Sequence, residues 1–515
     1  MSVQLIPFEC LEQIFIHLLQ NKSTLFNCLL VNRSWCRQVV PLLWSRPFSR
    51  LQWKPSSQLI QTYISCMANE KSLSTDLKII LQSTSSLSQP LFNYAKYLKK
   101  LNFRELSIYV NIWYCVNNQY KENDNNDYFK IDLITNELGK FFIYHSNLIH
   151  ELYISKVFWF SQINDITAFP GATNSLSHIQ RIKITGARCM EDIDIKNLSK
   201  ILFGLSKLST RIRNIEVYKF HESSSGLMDG LIELIKAQQN LSTFIVSCWN
   251  LNLDPLISAL ESQIDSLTEF EFTKTRFDNS IIFNLLSSCP RLHTISFQHC
   301  NGLFLENVSP MIKSPPIGLK RLYLCENDMS PDILISLLYN TRNTLNQLTL
   351  DERITETSTK IIETIAEYCP NLSYLDMKVL NVNILKLLCP LRKSQLKHLI
   401  LNNVSSKGFY NDEKFPEIGK FLPKTLQNLG LIYWDFTLQS LQSFLNNCDC
   451  PLKKLFLYRD NGINDDHLNI ITQYARSKGT LKSLKFLFKS YGDNSIPSKK
   501  AVKKAQEVIP IVQGK

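Results

Sequence analysis

The 515-residue sequence has no uninterrupted apolar run of the length needed to span a membrane. Its first 20 residues contain Glu9, Glu12 and Gln13, so they lack the basic and apolar segments of a secretory signal. The 14 cysteines are scattered and form no CxxC pair, which favours reduced thiols over disulfides. We therefore expect a cytoplasmic or nuclear protein without a membrane partner.

Motifs that carry catalytic chemistry are also missing. The chain has no GxxxxGK[ST] or GxGxxG phosphate loop, no HExxH helix and no metal-type Cys/His spacing. Cys448 and Cys450 form a CxC, but no further ligand pair follows, so packing inside the chain is the favoured interpretation. The sequence thus predicts no catalytic residue, no cofactor and no metal. A reactive thiol among the 14 cysteines stays an open alternative.

The net charge of +12 raises the question of nucleic acid, which the location of the charge disfavours. Residues 1–60 and 489–515 each contribute +4, and the long middle of the chain contributes only +4. The only basic cluster is Lys499, Lys500, Lys503 and Lys504, and such a run is more often a solvated tail. We expect residues 489–515 to be a basic C-terminal tail and no nucleic-acid partner.

Residues 5–48 predict three short helices with more apolar surface than so small a unit can bury. Pro7 is suited to the start of the first helix, on which Leu11, Ile14, Phe15 and Leu18 form one stripe. A second helix begins near Ser23 or Thr24, and a third ends near Pro41. A core of this size is marginal, so the surplus indicates docking to another surface. The alternative is that these helices pack on the rest of the chain.

The same segment carries a family resemblance. Its motifs occur in the order Ile6-Pro7-Phe8-Glu9, Leu11/Ile14/Phe15/Leu18, Leu25, Val31-Asn32-Arg33-Ser34-Trp35 and Pro41-Leu42-Leu43-Trp44. This order resembles an F-box, with Ile6 in place of the usual Leu. The match covers residues 5–48, and the implied F-box domain is residues 1–48. The resemblance implies docking to the adaptor of an SCF-type ubiquitin ligase, and through it to a cullin-RING scaffold. The residues that it implies face the adaptor, or support that face, are Pro7, Leu11, Ile14, Phe15, Leu18, Leu25, Val31 and Trp35.

Most of the remaining chain repeats the pattern LxxLxL. Ten clear instances begin at intervals of 24 to 30 residues, with helical segments between them. Their first residues are Leu241, Leu267, Leu292, Leu319, Leu345, Leu372, Leu396, Leu426, Leu452 and Leu481. Weaker instances begin at Leu98, Ile149, Ile179 and Ile212. This period is typical of leucine-rich repeats, in which each strand–helix unit buries its apolar edge on its neighbours.

We therefore predict an α/β fold: a three-helix F-box followed by a leucine-rich repeat solenoid with a parallel sheet inside and helices outside. Residues 49–97 would be a helical connector, and residues 98–488 the solenoid, with an Asn-rich loop at about 117–127. Units that end in Cys-Pro, as at Cys289 and Cys369, resemble the cysteine-containing repeat subtype, in which these thiols are buried. A closed βα barrel is the alternative, but more than eight strong repeats argue against it.

The repeats also present a candidate binding face. Residues that alternate with the inward leucines face the other side of the sheet. Aromatic and charged residues there are typical recognition anchors. The candidate substrate-binding residues are Arg321, Tyr323, Tyr374, Lys378, His398, Lys454, Phe456 and Tyr458. A partly acidic partner segment near Lys378 and Lys454 is the corresponding hypothesis.

Together these features predict a non-catalytic substrate-recognition subunit of an SCF-type ligase, which presents a protein of unknown identity for ubiquitination and proteasomal degradation. One alternative is a leucine-rich repeat scaffold with no role in degradation. Another is an enzyme that carries ubiquitin on one of its own cysteines. A third is nucleic-acid binding through the Lys499–Lys504 cluster.

Overall fold

The computed structural model describes residues 7–48, 53–68, 90–117, 125–156, 164–186, 191–220, 226–248, 252–351, 358–379, 384–403, 414–459, 462–488 and 497–514. The chain divides into two compact units, Met1–Leu267 and Thr268–Lys515. Part of the predicted Asn-rich loop and of the connector lies outside the described residues. No helix among the described residues is long and apolar enough to cross a membrane.

The first unit begins with three helices around a small core. They are α1 (Phe8–His17), α2 (Lys22–Leu29) and α3 (Arg33–Trp44). Asn21 and Asn32 cap α2 and α3 through side-chain bonds to the N–H groups of Thr24 and Trp35. The sequence predicted an end of α3 near Pro41, yet the helix continues to Trp44. Its last turn is held because Trp44 stacks on Tyr94 with ring centroids 3.9 Å apart.

The rest of the first unit alternates helices with five parallel strands. The connector helix α4 (Trp53–Met67) packs on the following helix, where the indole N–H of Trp113 donates to Gln61 at 2.7 Å. The further helices are α5 (Phe103–Asn117), α6 (Asn125–His145), α7 (Ala172–Ser175), α8 (Asp192–Leu208), α9 (Met228–Lys236) and α10 (Asp254–Leu260). The strands are β1 (Lys100–Asn102), β2 (Glu151–Ser155), β3 (Arg181–Thr185), β4 (Asn214–Phe220) and β5 (Thr243–Cys248).

The second unit continues the strand–helix alternation more regularly. Its strands are β6 (Glu269–Thr273), β7 (Thr294–Gln298), β8 (Arg321–Cys325), β9 (Gln347–Asp351), β10 (Tyr374–Val379), β11 (His398–Asn403), β12 (Asn428–Ile432), β13 (Lys454–Arg459), β14 (Ser483–Phe488) and β15 (Ile511–Gly514). Its helices are α11 (Ile281–Ser288), α12 (Leu305–Lys313), α13 (Pro331–Thr341), α14 (Ser358–Tyr368), α15 (Ile384–Leu391), α16 (Phe415–Phe421), α17 (Leu438–Asn446), α18 (Asp465–Lys478) and α19 (Lys499–Gln506).

Each strand of the second unit pairs in parallel with the next strand in the sequence. The leucines of LxxLxL stay in register, as in Leu322↔Leu348 and Leu429↔Leu455, and their side chains are buried. The ladder runs from β6 to β15 without closing on itself, so the barrel alternative is wrong. The predicted α/β class, with a parallel leucine-rich repeat sheet and helices alongside, is confirmed.

Two boundaries differ from the sequence-based expectation. Residues 498–514 do not form a solvated tail, because α19 and β15 add a last repeat that pairs with β14. Ala501 and Ala505 are the buried side of α19, which leaves its four lysines exposed. At the predicted Asn-rich loop, Asn117 belongs to α5 and α6 already begins at Asn125, so both ends of the predicted range 117–127 are helical.

Candidate functional site

The sheet of the second unit places the alternating residues of β8–β14 in rows. We call this surface the strand face. The first row is Arg321, Gln347, Tyr374, His398, Asn428, Lys454 and Ser483, and the middle row is Tyr323, Thr349, Asp376, Ile400, Gly430, Phe456 and Lys485. The third position of successive strands holds Lys378, Asn402, Ile432, Tyr458 and Leu487. The structure thus brings all eight candidate substrate-binding residues onto one sheet surface.

Arg321 and Tyr323, at the β8–β9 end of this face, already form hydrogen bonds within the chain. The Arg321 Nε donates to Thr294 Oγ1 at 2.7 Å, and its Nη2 lies 3.1 Å from His293 Nδ1. The Tyr323 hydroxyl donates to Gln347 Oε1 at 3.4 Å. On β7 the alternating residues Thr294 and Ser296 are buried, which sequence periodicity does not predict. Arg321 donates to Thr294, and Gln298 donates to Ser296 at 3.1 Å.

Lys378 does not present a free cation, contrary to its predicted role toward an acidic partner. Its ammonium lies 2.8 Å from Glu326 Oε1 and 2.8 Å from Asp351 Oδ1. The side chain is only 15% exposed, so both carboxylates already neutralise it inside the chain. The Cys325 thiol donates to the other Asp351 oxygen at 2.8 Å. Burial and this bond raise the pKa of Cys325 to about 12, so it stays protonated at neutral pH.

Asp376 is the acidic residue of the middle row, and its pKa is raised. Burial, and next the negative charge of Asp351, raise the pKa of Asp376 from its usual 3.8 to about 6. A side-chain hydrogen bond with Tyr374 opposes these two effects only in part, and among the described residues no cation forms an ion pair with Asp376. A carboxylate that is partly removed from water and has no counter-ion is typical of functional sites. Its alternation with Tyr374 and Lys378 placed it on this face, but nothing in the sequence indicated its environment.

Replacing Asp376 by Asn should therefore stabilise the protein at neutral pH. The folded pKa lies above the unfolded value, so the ionisation cost is absent below about pH 4 and complete above about pH 6. We expect Asp376→Asn to raise the free energy of unfolding by about 2 kcal/mol at pH 7.5, a gain that shrinks as the pH falls to 4. Urea unfolding at several pH values measures this.

The matched control is Asp278→Asn, because the side chain of Asp278 is 72% exposed and its ion pair with Arg276 lies on the surface. We expect a change within about 0.5 kcal/mol at every pH. A loss of stability for Asp376→Asn at pH 7.5 would contradict the assignment, since it would show that the bonds to the ionised carboxylate outweigh the cost of its burial.

The β11–β13 end of the face is apolar with cations around it. Ile400, Ile432 and Phe456 are half-buried, and Gly430, which has no side chain, is buried among its neighbours. Tyr458 packs edge-on against Tyr433, with ring centroids 4.7 Å apart. Tyr433 itself has a left-handed backbone (φ 57°) and donates its N–H to the Tyr458 carbonyl at 2.7 Å. Lys454 is exposed as predicted.

His398 lies between these two ends of the face. The side-chain amide of Asn428 is 2.7 Å from its Nδ1, and the Tyr374 ring centroid is 5.9 Å from its own. Burial, followed by the charges of Lys454 and Lys397, lowers the pKa of His398. The ring is thus neutral at pH 7 and contributes a polar, not a charged, surface.

The eight predicted adaptor residues separate into two groups at the N-terminus. Leu11, Phe15 and Leu25 fill the core of the three helices together with Cys28 and Val39, and Leu18 and Trp35 pack partly against it. The Phe15 and Trp35 rings meet edge to face at 5.1 Å. Pro7, Ile14 and Val31 are exposed. Further apolar side chains that the prediction did not include are also exposed here, namely Ile16, Leu19, Phe26 and Leu30.

Three buried cysteines have surroundings that keep the thiol inside the packed chain. Cys289 and Cys448 donate from buried positions to carbonyls one turn earlier in their helices. Burial raises the pKa of Cys369 to about 11. Among the described residues no group of three or more His, Cys, Asp or Glu is placed to hold a metal ion.

Comparisons with known proteins add little to this geometry. No protein-family model matches the chain, and no curated protein matches it. A solved structure of a protein from Bacteroides fragilis is similar at 13% identity and a TM-score of 0.30, over 58% of this chain and 74% of that chain. An internalin from Listeria monocytogenes is similar at 13% identity and a TM-score of 0.33, over 69% of this chain and 89% of that chain. The architecture given above rests on the strand register, not on these scores.

Proposed function

We propose that this chain is a non-catalytic substrate receptor of an SCF-type ubiquitin ligase. The three N-terminal helices dock to the ligase adaptor, and the strand face of the repeats holds the target protein. Holding the target near a ubiquitin-loaded enzyme is the whole contribution of such a subunit. Positioning alone can remove several kcal/mol of a reaction barrier.

The observation that carries this proposal is the surplus of exposed apolar side chains on the three helices. Their core is already filled by the Leu11, Phe15, Leu25, Cys28 and Val39 cluster. The exposed fractions nevertheless reach 57% for Phe26, 75% for Leu30 and 57% for Val31. Surface apolar residues are normal singly, but several on so short a segment mark an interaction surface.

The arrangement of α3 supports the same conclusion. The backbone N–H groups of Lys99 and Lys100 donate to the Ser45 carbonyl at 2.9 and 3.2 Å, which fixes the C-terminal end of α3 to the first repeat. Leu30 and Val31, by contrast, lie in the turn between α2 and α3 and stay exposed. The segment is therefore anchored at one end and open at the other, as a docking module requires.

The test is retention of purified SCF adaptor by the full-length chain. Leu30→Asp should weaken adaptor binding about tenfold or more, because it introduces a charge into a desolvated contact. The fold should persist, since a residue this exposed contributes little to stability. Leu91→Asp is the matched control, because Leu91 is 90% exposed outside the three helices, and it should leave binding unchanged.

Two results would replace the proposal by its rivals. If neither wild type nor Leu30→Asp retains the adaptor, or if the adaptor is retained but no target protein has a half-life that depends on this chain, the chain is a repeat scaffold without a role in degradation. Equal retention by wild type and Leu30→Asp would contradict the assignment of Leu30 to the adaptor contact. If the chain acquires a ubiquitin adduct that a reducing agent removes, it is an enzyme with its own thioester. The raised pKa values of Cys325 and Cys369 oppose the latter at those two positions.

A further inference from the structure

The side chains in the middle row of the strand face change from charged to apolar and back to charged along the row. This order indicates what kind of ligand the face can bind, which the proposed function leaves open. The row crosses from an anion on β10, through an apolar stretch on β11–β13, to a cation on β14. All of these residues belong to the second unit.

Asp376 forms the anionic end. Tyr374 lies on the same strand two residues away, and Asp351 is the charge that acts on it from β9. The ammonium of Lys378, two residues further along the same strand, is already held by Asp351 and Glu326 at 2.8 Å each. A cation from another molecule would therefore gain a half-desolvated carboxylate that the described part of the chain leaves without an ion pair.

Gly430 places no side chain between Ile400 and Phe456 in adjacent register, yet it is buried, so neighbouring side chains close over it. A β-carbon at Gly430 would lie 3.1 Å from Ile400 Cγ1, which shows that the isoleucine covers this position. The apolar surface here is therefore that of the half-buried Ile400 and Phe456 side chains. Such a surface suits an aliphatic side chain of a partner, because apolar anchors are held in this way at protein interfaces.

Lys485 forms the cationic end, directly beside Phe456 in register. It is exposed, and the described residues contain no ion pair to it. Lys454 in the first row adds a second exposed cation nearby, so this end of the face favours a carboxylate.

The spacing of these three features matches an extended peptide laid across the strands. Neighbouring strands are about 4.8 Å apart, so two strand steps from Asp376 to Gly430, and two more to Lys485, span about 10 Å each. An extended chain advances about 3.3 Å per residue, hence three residues per interval. The ligand groups should thus recur at every third position.

We infer that the strand face binds an extended segment of a partner protein with a basic residue, an aliphatic residue three positions on and an acidic residue three positions further, in either chain direction. This inference rests on the proposed role of the repeats as the target-binding part of the chain. It differs from that role in naming the recognised pattern and the residues that recognise it, namely Asp376, Ile400 with Phe456, and Lys485.

The test uses fluorescein-labelled heptapeptides and fluorescence anisotropy with the full-length chain. The probes are Arg-Ser-Ser-Leu-Ser-Ser-Glu and the same sequence in reverse order. At least one order should bind, and replacing its Arg by Glu or its Leu by Ser should weaken binding about tenfold. Deleting one Ser from each spacer should weaken it similarly, since the ends would no longer reach both charges.

Variants of the protein supply the matching measurements. Asp376→Asn and Phe456→Ala should each weaken binding of the unmodified probe about tenfold. The probe with Glu in place of Arg should bind Asp376→Asn and the wild-type protein with the same affinity. Lys420→Glu is the control, because Lys420 pairs with Glu417 at 2.8 Å on α16, away from the face. It should leave probe binding unchanged.

Binding of neither order, or equal binding by wild type, Asp376→Asn and Phe456→Ala, would overturn the inference. Tight, salt-sensitive binding of oligothymidylate that Lys454→Glu and Lys485→Glu abolish would overturn it in favour of nucleic acid. Failure of the proposed function is distinguishable, because Leu30→Asp should keep probe binding and lose only the adaptor.

Discussion

Replacing Lys156 by Met is expected to lower the free energy of unfolding by about 3–5 kcal/mol, the largest effect that we anticipate in the first unit. The Lys156 Nζ lies 2.7 Å from Asp194 Oδ2, and the side chains are 2% and 0% exposed. The same Asp194 oxygen accepts the N–H of Glu191 at 3.1 Å at the start of α8. Removing the ammonium leaves a buried carboxylate without its counter-ion. Urea unfolding followed by circular dichroism measures the loss.

The control for this prediction is Lys140→Met. Lys140 also pairs with an acid at 2.7 Å, but its side chain is 45% exposed and its partner Glu137 is one helical turn away. Such a surface pair contributes about 0.5 kcal/mol. Combining Lys156→Met with Asp194→Leu should recover most of the loss, because no charge then remains buried. Equal losses for Lys156→Met and Lys140→Met would show that the buried pair has no special role.

Replacing Phe297 by Ala should cost about 3–5 kcal/mol in the second unit. Its ring is fully buried and lies 5.8 Å from Phe272, 5.7 Å from Phe277 and 6.0 Å from Phe283. These rings fill the space between β6, β7 and α11. An alanine therefore leaves a cavity that rigid aromatic neighbours cannot close. Urea or thermal unfolding measures the effect.

Phe304→Ala is the matched control, since Phe304 is 53% exposed just before α12. Its truncation should cost less than about 1 kcal/mol. If the two substitutions have the same effect, the ring cluster around Phe297 is not a tightly packed core. Both variants should keep adaptor binding wherever they remain folded.

Most of the repeat architecture could be predicted because it depends on spacing alone. Leu322, Leu348 and Leu375 are buried in register as the LxxLxL pattern indicates. The weaker upstream instances also form strands, with Ile182 and Ile215 buried and paired. Period-2 alternation decides which side of a sheet a residue faces, and that information is local.

What lies around a side chain could not be predicted in the same way. Lys378 was expected to be a free cation, but Glu326, 52 residues earlier in the chain, pairs with it. Pro41 was expected to end α3, but packing of Trp44 on Tyr94 carries the helix three residues further. In both places a distant part of the chain outweighs a local preference.

The N-terminal segment shows the same division. The helical period predicted the apolar stripe of α1. The period does not indicate which residues of the stripe fill the core and which remain exposed. Leu11 and Phe15 fill the core, whereas Ile14, in the same stripe, is 46% exposed. Leu30 stands at no stripe position, and only the turn between α2 and α3 brings it to the surface.

The sequence by itself determined the repeat period, the side of the sheet that each residue faces and the surplus of apolar residues near the N-terminus, because all three follow from spacing along the chain. Only the tertiary structure decided which charges are neutralised, which carboxylate is left half-buried and which apolar residues remain exposed. Those properties depend on neighbours that are remote in sequence, and on the loss of water when the strands and helices pack together.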